Sequence, residues 1–171
     1  TYSKDGGNTW KTSNPAYSGT TECAVVQLSD GRLMLNMRSG RNKGRLGDDN
    51  GRAVAVTGDL GHSWTEHPSS FNKLPEPVCM ASLFRHTYGD DKSLLFFSNP
   101  NSKEFREDMT IKISRDDGDS WATPDQLLLD EGRSRGYSCI TSVDDHRIGI
   151  LYESSQADLV FQRIDVSDFL D

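Results

Sequence analysis

The stretch SRDDGDSW, Ser114 to Trp121, decides the fold of this chain because it is the third copy of one short motif. The earlier copies are SKDGGNTW, Ser3 to Trp10, and TGDLGHSW, Thr57 to Trp64. All three fit the pattern Ser/Thr-x-Asp-x-Gly-x-Ser/Thr-Trp, and together they contain every Trp of the chain. A motif that returns after about 55 residues indicates an array of similar supersecondary units.

Each copy of the motif predicts a stapled turn. The Asp side chain can accept hydrogen bonds from backbone N–H groups just ahead of it in the chain. The Gly permits a backbone conformation that is closed to other residues. The Trp can then fold back and bury a large apolar surface against its unit.

Between the motifs the sequence is almost entirely strand and turn. Three hairpins are predicted, with CAVVQL and RLMLNMRS around SDG, VCMASLFRH and SLLFFSN around TYGDDK, and YSCITSV and RIGILYES around DDH. RAVAVTGD and MTIKISRD run as single strands into the second and third motifs, LVFQRIDV is a last strand, and VSDFLD could form a helical turn. The repeating order of hairpin, strand and stapled turn indicates four-stranded units arranged radially, as in a β-propeller.

The composition limits the class of protein. With 171 residues, 34% of them apolar and 26% charged, the chain suits one globular domain. The net charge of −7 argues against a nucleic-acid partner. There is no apolar run long enough for a membrane-spanning helix, and no signal peptide is visible. Because the sequence opens inside a motif, we expect it to be a piece of a longer polypeptide.

Three cysteines and one polar stretch carry weaker signals. Cys23, Cys79 and Cys139 lack the spacing of a zinc site, and we expect buried thiols, with one disulfide left open. The stretch from Ser39 to Arg52, SGRNKGRLGDDNGR, is predicted as the longest loop, mobile or functional and outside the core. Its GDDNG segment could be a calcium loop but lacks the EF-hand spacing, so a solvated loop is favoured.

Four side chains stand at predicted strand ends, where loops on a rigid scaffold carry function. They are Glu22, Arg38, Arg106 and Tyr137. Taken singly, each has an ordinary structural explanation: a solvated Glu, an Arg whose stem packs on apolar surface, a half-buried Tyr. Taken together, in this order and interleaved with the motifs, they match a known pattern.

The chain resembles the bacterial exo-α-sialidases (neuraminidases) of glycoside hydrolase family 33. The three motifs look like the Asp boxes of that family, and ECAVVQLSDGRLMLNMRS resembles its hairpin from a Glu to the second arginine. LLFFSNP followed by Arg106 resembles the segment that bears the third arginine. GYSCITSVDDHRIGILYE resembles the hairpin of the nucleophile. The resemblance runs from Ser3 to about Phe169.

The resemblance implies an all-β fold, a six-bladed β-propeller of the sialidase type. Residues 1–171 would supply roughly half of the blades, as the C-terminal part of a single catalytic propeller. The Asp boxes of the family lie on the outer rim. By that resemblance Asp116 and Asp117 staple a turn and are not a catalytic carboxylate pair, and DDH is a hairpin tip.

The resemblance also implies a retaining hydrolysis of terminal sialic acid with Tyr137 as nucleophile. Sialic acid carries a carboxylate on its anomeric carbon, which would repel an anionic nucleophile, and sialidases are the tyrosine exception among glycosidases. A phenol with an ordinary pKa near 10 needs an adjacent base, for which Glu22 is the candidate. Arg38 and Arg106 would bind the substrate carboxylate, and Glu153 would steady the third arginine. The mechanism calls for no metal and no cofactor.

Two residues of the family pattern are missing from this sequence. The first arginine and the acid/base Asp have no match here and are expected upstream of Thr1. We therefore expect the chain alone to be inactive, and its partners to be the N-terminal half of the propeller and sialylated glycans. Such glycans lie outside the cytoplasm, which favours a periplasmic or secreted protein. Alternatives are a non-catalytic Asp-box propeller that binds sialylated glycans, a trans-sialidase, and a scaffolding propeller.

Overall fold

The structure is a computed structural model that describes residues 1–90 and 92–170. Asp91, in the predicted turn TYGDDK, and Asp171, at the end of the predicted turn VSDFLD, lie outside the described residues. The final helical turn is present as a 3-10 turn over Val166–Phe169. The strands are β1 Thr20–Gln27, β2 Leu33–Ser39, β3 Ala53–Thr57, β4 Thr65–Glu66, β5 Ser82–Tyr88, β6 Lys92–Pro100, β7 Met109–Ser114, β8 Gln126–Asp130, β9 Ser138–Asp144, β10 Arg147–Glu153 and β11 Leu159–Asp165.

These strands form three antiparallel sheets, which we call the first, second and third blades. Their orders are β1-β2-β3-β4, β5-β6-β7-β8 and β11-β10-β9. The all-β architecture is a partial β-propeller, and the three predicted hairpins are confirmed. The sequence did not predict β4 and β8, because β4 has only two residues and the QLLLD of β8 shows no strict alternation.

The blades stack face to face through apolar cores. In β6, Leu95 and Phe97 join the core with the first blade, while Leu94 and Phe96 join the core with the third blade. A strand that is buried on both faces appears in the sequence as a continuous apolar run, as SLLFFSN does. The second blade is thus the centre of the described fold, with a neighbour packed on each side.

The three motifs form the predicted stapled turns. In the second copy, Asp59 accepts hydrogen bonds from the backbone N–H of Ser63 at 2.9 Å and from the hydroxyl of Thr57 at 2.7 Å. The other two copies repeat these contacts around Asp5 and Asp116. The second and third copies connect β3 to β4 and β7 to β8, so each of these two motifs joins the last two strands of a blade.

The burial of a Trp side chain depends on whether a described blade covers it. Trp121 is 7% exposed and packs on Phe97, with ring centroids 5.8 Å apart. Trp10 is 65% exposed, so the prediction of burial is wrong for that copy. The reason is position, because Trp10 precedes the first blade and no described strand covers its ring.

Two further expectations are corrected. Cys79 is buried, but Cys23 and Cys139 are exposed, since they lie on faces of the first and third blades that no described blade covers; among the described residues all three are free thiols. The stretch from Ser39 to Arg52 is partly core, because its Asn42, Asn50 and Arg52 are buried. Among the described residues there is no helix with the length and apolar character needed to cross a bilayer.

Candidate functional site

Glu22 is placed by an irregularity in β1. The pairing of β1 with β2 shifts between Thr21 and Cys23, so Glu22 is a bulged residue without a ladder partner. Its φ of 43° lies in the left-handed region, which is unusual for a residue other than Gly. A bulge redirects a side chain, and such bulges are frequent beside active sites.

Tyr137 lies immediately before β9 and is fixed through its backbone. Its N–H donates to Oε2 of Glu153 at 3.0 Å, and its carbonyl accepts from the N–H of Glu153 at 3.0 Å. Gly136, just before it, has a φ of 84°, and a Cβ there would lie 2.9 Å from Sγ of Cys79. The tyrosine therefore follows a turn that requires Gly both for its conformation and for its close packing.

The side chains of Tyr137, Glu22 and Arg38 form one connected array. The phenol of Tyr137 donates a hydrogen bond to Oε1 of Glu22. The other oxygen of Glu22, Oε2, accepts from Nη1 of Arg38 at 2.5 Å. The side chain of Glu22 is 30% exposed and that of Arg38 is 23% exposed, so the array is partly open to solvent and can be reached by a ligand.

The array sets the protonation of its members. Partial burial raises the pKa of Glu22, but the hydrogen bonds from Tyr137 and Arg38 outweigh it, so the pKa lies below the ordinary value of 4.5. The same hydrogen bond to Glu22 raises the pKa of Tyr137 above 10. At neutral pH the site thus holds a neutral phenol that faces an ionised carboxylate, so the carboxylate can accept the proton of the phenol.

Arg106 lies over the ring of Tyr137. Its Cζ is 5.7 Å from the centroid of the Tyr137 ring. Nη1 donates to the carbonyl of Arg135 at 2.8 Å and Nη2 to the carbonyl of Val78 at 3.4 Å. These carbonyls orient the guanidinium without neutralising it, so its positive charge remains for an anionic ligand.

Glu153 lies beside the backbone of Tyr137. Its carboxylate accepts from the N–H of Tyr137, and among the described residues it forms no ion pair with Arg106. The contact follows from strand pairing, because Glu153 ends β10 opposite Tyr137. The role expected for Glu153, to steady the third arginine, stays a prediction.

The two acidic residues of the third motif have structural partners. Asp116 staples its own turn through Ser120. Asp117 accepts from the backbone N–H of Ser29 at 3.0 Å and from Nη1 of Arg85 at 3.3 Å. Asp117 therefore links the tip of the β1–β2 hairpin to the second blade.

Sequence reasoning missed a group of polar residues beneath the array. Arg52 and Glu76 are both fully buried and form an ion pair, with Nη1 and Oε2 2.6 Å apart. Neither residue lies in a motif. Arg52 belongs to a stretch rich in Gly, Asn and charge, which is the composition of an exposed loop, so the sequence held no signal for its burial.

Comparison with known proteins assigns the chain to a family. Residues 1–151 match the BNR repeat-like domain. The chain belongs to this family. The BNR repeat-like chain is 51% identical to a curated relative from Bacteroides fragilis (strain YCH46) named as a sialidase, a match that covers 99% of this chain and 30% of the relative.

Solved structures agree with the fold of this BNR repeat-like chain. A Hadza microbial sialidase superposes with a TM-score of 0.88 at 48% identity, over 98% of this chain and 32% of that one. The Trypanosoma rangeli sialidase in complex with 2,3-difluorosialic acid, described as a covalent intermediate, gives a TM-score of 0.69 at 25% identity, over 99% of this chain and 27% of that one. The chain thus spans about a third of these relatives.

Proposed function

We propose that this chain supplies part of the active site of an exo-α-sialidase that releases terminal sialic acid from glycoconjugates with retention. The observation that supports it most directly is the hydrogen bond from Tyr137 to Glu22, whose second oxygen binds Arg38. The names of the relatives favour the same chemistry. Residues 1–171 would belong to one catalytic propeller, and we call this chain joined to the remaining blades the completed propeller.

In the proposed reaction the arginines bind first. Arg38 and Arg106 would pair with the carboxylate of sialic acid, because guanidinium groups match a planar carboxylate with parallel N–H donors. Arg38 already faces a carboxylate, that of Glu22, and among the described residues its other donors have no hydrogen-bond partner. A sugar held in this way would present its anomeric carbon to the phenol.

The covalent step then moves one proton and breaks one bond. The phenol oxygen of Tyr137 attacks the anomeric carbon, and its proton passes to Glu22. The bond from that carbon to the leaving oxygen breaks, and this oxygen takes a proton from an acid that this chain does not match and that the remaining blades would supply. Water later attacks the same carbon and gives a proton to the acid of the first step, which is now deprotonated. The bond from that carbon to the phenol oxygen breaks, the phenol takes its proton back from Glu22, and the sugar retains its configuration.

The protonation of the resting site suits this sequence of steps. A neutral phenol is not repelled by the substrate carboxylate, whereas a phenolate or a carboxylate nucleophile would be. The pKa of Tyr137 is raised by its hydrogen bond to Glu22, so the phenol stays neutral until it attacks. Glu22 is ionised beforehand, because its pKa is lowered, and it can accept the proton.

The proposal includes the setting of the enzyme. The substrate is a sialylated glycan, and such glycans lie outside the cytoplasm, so a periplasmic or secreted protein is proposed. Without the acid and the first arginine, this chain alone would be inactive. A sialic acid-binding propeller without turnover is the principal rival, and the contact between phenol and base is a feature that mere binding does not need.

The test is release of fluorophore from 4-methylumbelliferyl-α-sialoside by the completed propeller. Wild type should turn over, this chain alone should not, and Tyr137→Phe in the completed propeller should lose turnover. Tyr88→Phe is the matched control, because Tyr88 lies at the end of β5 and outside the array. Binding of sialic acid without turnover in wild type would contradict the proposal in favour of the rival.

A further inference from the structure

A buried ion pair lies directly beneath the array. Arg52 and Glu76, which we call the buried pair, are both 0% exposed. Removing two charges from water is costly, and an ion pair offsets that cost only when further hydrogen bonds satisfy both groups. The partners of the buried pair therefore show what it holds in place.

Arg52 reaches the backbone of the base. Its Nη2 lies 3.5 Å from the carbonyl of Glu22, the residue that the bulge removes from the β-ladder. Its Nη1 also donates to the carbonyl of Cys79 at 2.6 Å, and its Nε donates to Asn36 at 2.7 Å. With the carboxylate of Glu76, the guanidinium has four acceptors and cannot rotate, so it supports the unusual backbone at Glu22.

Glu76 reaches Ser39, the residue that follows Arg38. Its Oε1 accepts from the backbone N–H of Ser39 at 2.7 Å and from the side chain of Asn42 at 2.7 Å. Ser39 directly follows Arg38, at the end of β2. The carboxylate therefore fixes the point at which the strand carrying Arg38 ends.

The segment from Glu76 to Cys79 extends this support to the other half of the site. The carbonyl of Val78 accepts from Arg106 at 3.4 Å, and Sγ of Cys79 lies 3.4 Å from the carbonyl of Gly136, which precedes Tyr137. Val78 has a φ of 53°, a strained conformation for a β-branched residue. Strain of this kind persists where the surrounding contacts fix it, commonly beside functional sites.

We propose that Arg52 and Glu76 are positioning residues, which hold Glu22 in contact with Tyr137 and hold Arg38 in contact with Glu22. The buried pair touches no substrate and acts through the backbone of these residues. This inference rests on the proposed function for its catalytic consequence, although the geometry of the array can be measured without it. Arg52→Lys should not substitute, because a lysine lacks the planar fork that serves several acceptors.

The experiment uses the completed propeller with Arg52→Lys and with the double variant Arg52→Met and Glu76→Leu. Apolar replacement of a whole buried pair is often neutral for folding, so the double variant provides a folded protein if the single one fails. Arg85→Met is the control, because it removes an ion pair within the second blade, with Asp117, outside the array. Thermal unfolding establishes that each variant is folded.

The first readout is the titration of the Tyr137 phenol, followed by NMR of protein labelled with 13C in tyrosine and assigned with Tyr137→Phe. The pKa of Tyr137 is raised chiefly by its hydrogen bond to Glu22. If the buried pair holds Glu22, that pKa should fall toward 10 in both Arg52 variants and stay at its wild-type value in Arg85→Met. An unchanged Tyr137 titration in a folded Arg52 variant overturns the proposal.

The second readout is kinetic. We expect kcat to fall about tenfold or more in the Arg52 variants relative to wild type. When Arg52→Lys is added to Glu22→Gln, we expect a further fall of less than about threefold relative to Glu22→Gln alone. The reason is that the effects of residues that act through one another are not additive. A full additional loss in the Glu22→Gln background would mean a general role in folding and would overturn the proposal. If wild type shows no turnover at all, the proposed function fails, and the Tyr137 titration still decides the inference.

Discussion

The phenol of Tyr137 donates a hydrogen bond to the carboxylate of Glu22, a residue 115 positions away in the chain. Glu22 belongs to β1 of the first blade, and Tyr137 precedes β9 of the third blade. The contact thus spans the second blade and forms only when all three blades are stacked. It joins the fold to the proposed chemistry, because one displaced blade would separate nucleophile and base.

Glu22→Gln should lower kcat strongly. The amide keeps the size of the side chain but cannot take the proton of Tyr137, and general-base contributions are about a hundredfold to ten-thousandfold. The measurement is steady-state hydrolysis of the fluorogenic sialoside by the completed propeller, with thermal unfolding as a check on folding. A kcat within about threefold of wild type would contradict the role of Glu22 as base.

Arg38 should set the acid limb of the pH profile through Glu22. Because the pKa of Glu22 is lowered, its carboxylate stays ionised below pH 4.5, and activity should fall only as the pH drops toward that lowered pKa. Arg38→Met removes a hydrogen bond and a positive charge that both lower this pKa. The acid limb of the pH profile of kcat/KM should therefore move to higher pH, whatever the change in the maximum value of kcat/KM. An acid limb at the wild-type position in Arg38→Met would refute the assignment.

Asp59 should contribute stability that depends on pH. Its pKa is lowered chiefly by the backbone N–H of Ser63, and then by the hydroxyls of Ser63 and Thr57. Because the folded pKa lies below the unfolded value of 3.8, the contribution is complete above 3.8 and is lost as the pH falls toward the folded pKa. Asp59→Asn should therefore lower Tm more at pH 7 than at pH 3, by thermal unfolding of the completed propeller. Asp145→Asn, at an exposed hairpin tip, is the control, and an equal loss at both pH values would argue against this linkage.

Lys112 should make the protein more stable as the pH rises above neutral. The side chain is 1% exposed and donates to Asn99 at 2.5 Å. Burial, followed by the charge of Arg52, lowers its pKa from 10.5 to about 7. Between those values the unfolded chain binds more protons than the folded one, so stability from this group increases with pH.

Lys112→Met tests this sign. The variant should be more stable than wild type at pH 7, and its advantage should shrink at pH 9.5, as measured by urea unfolding of the completed propeller. The physical reason is that the cost of burying the ammonium is complete below the folded pKa of about 7 and falls steadily as the pH rises toward the unfolded value of 10.5. If the stability difference between Lys112→Met and wild type did not change with pH, the pKa of Lys112 would not be lowered in the folded protein.

The repeats and hairpins were predictable because their signals are local. An Asp, a Gly and a Trp within eight residues specify the stapled turn, and alternation around SDG or DDH specifies the hairpins. The stretch SLLFFSN could be assigned to a strand, but its burial on both faces is a property of neighbouring blades. Those neighbours also decide why Trp121 is buried and Trp10 is not.

The supporting part of the site was not predictable for a related reason. The bulge at Glu22 depends on the register with β2, which the letters TTEC do not determine. Arg52 and Glu76 form their pair across 24 positions, from segments whose polar composition is typical of exposed loops. The contact of Glu153 was not predicted either, because strand pairing at the end of β10 directs its carboxylate to the backbone of Tyr137.

The most direct test of the central claim is to trap the covalent step. The completed propeller is incubated with 2,3-difluorosialic acid, digested, and mapped by mass spectrometry, with Tyr137→Phe treated in parallel. The account predicts one sialyl adduct, on the peptide that contains Tyr137, and none in the variant. An adduct on another residue, or hydrolysis of the fluorogenic sialoside that survives in Tyr137→Phe, would contradict it.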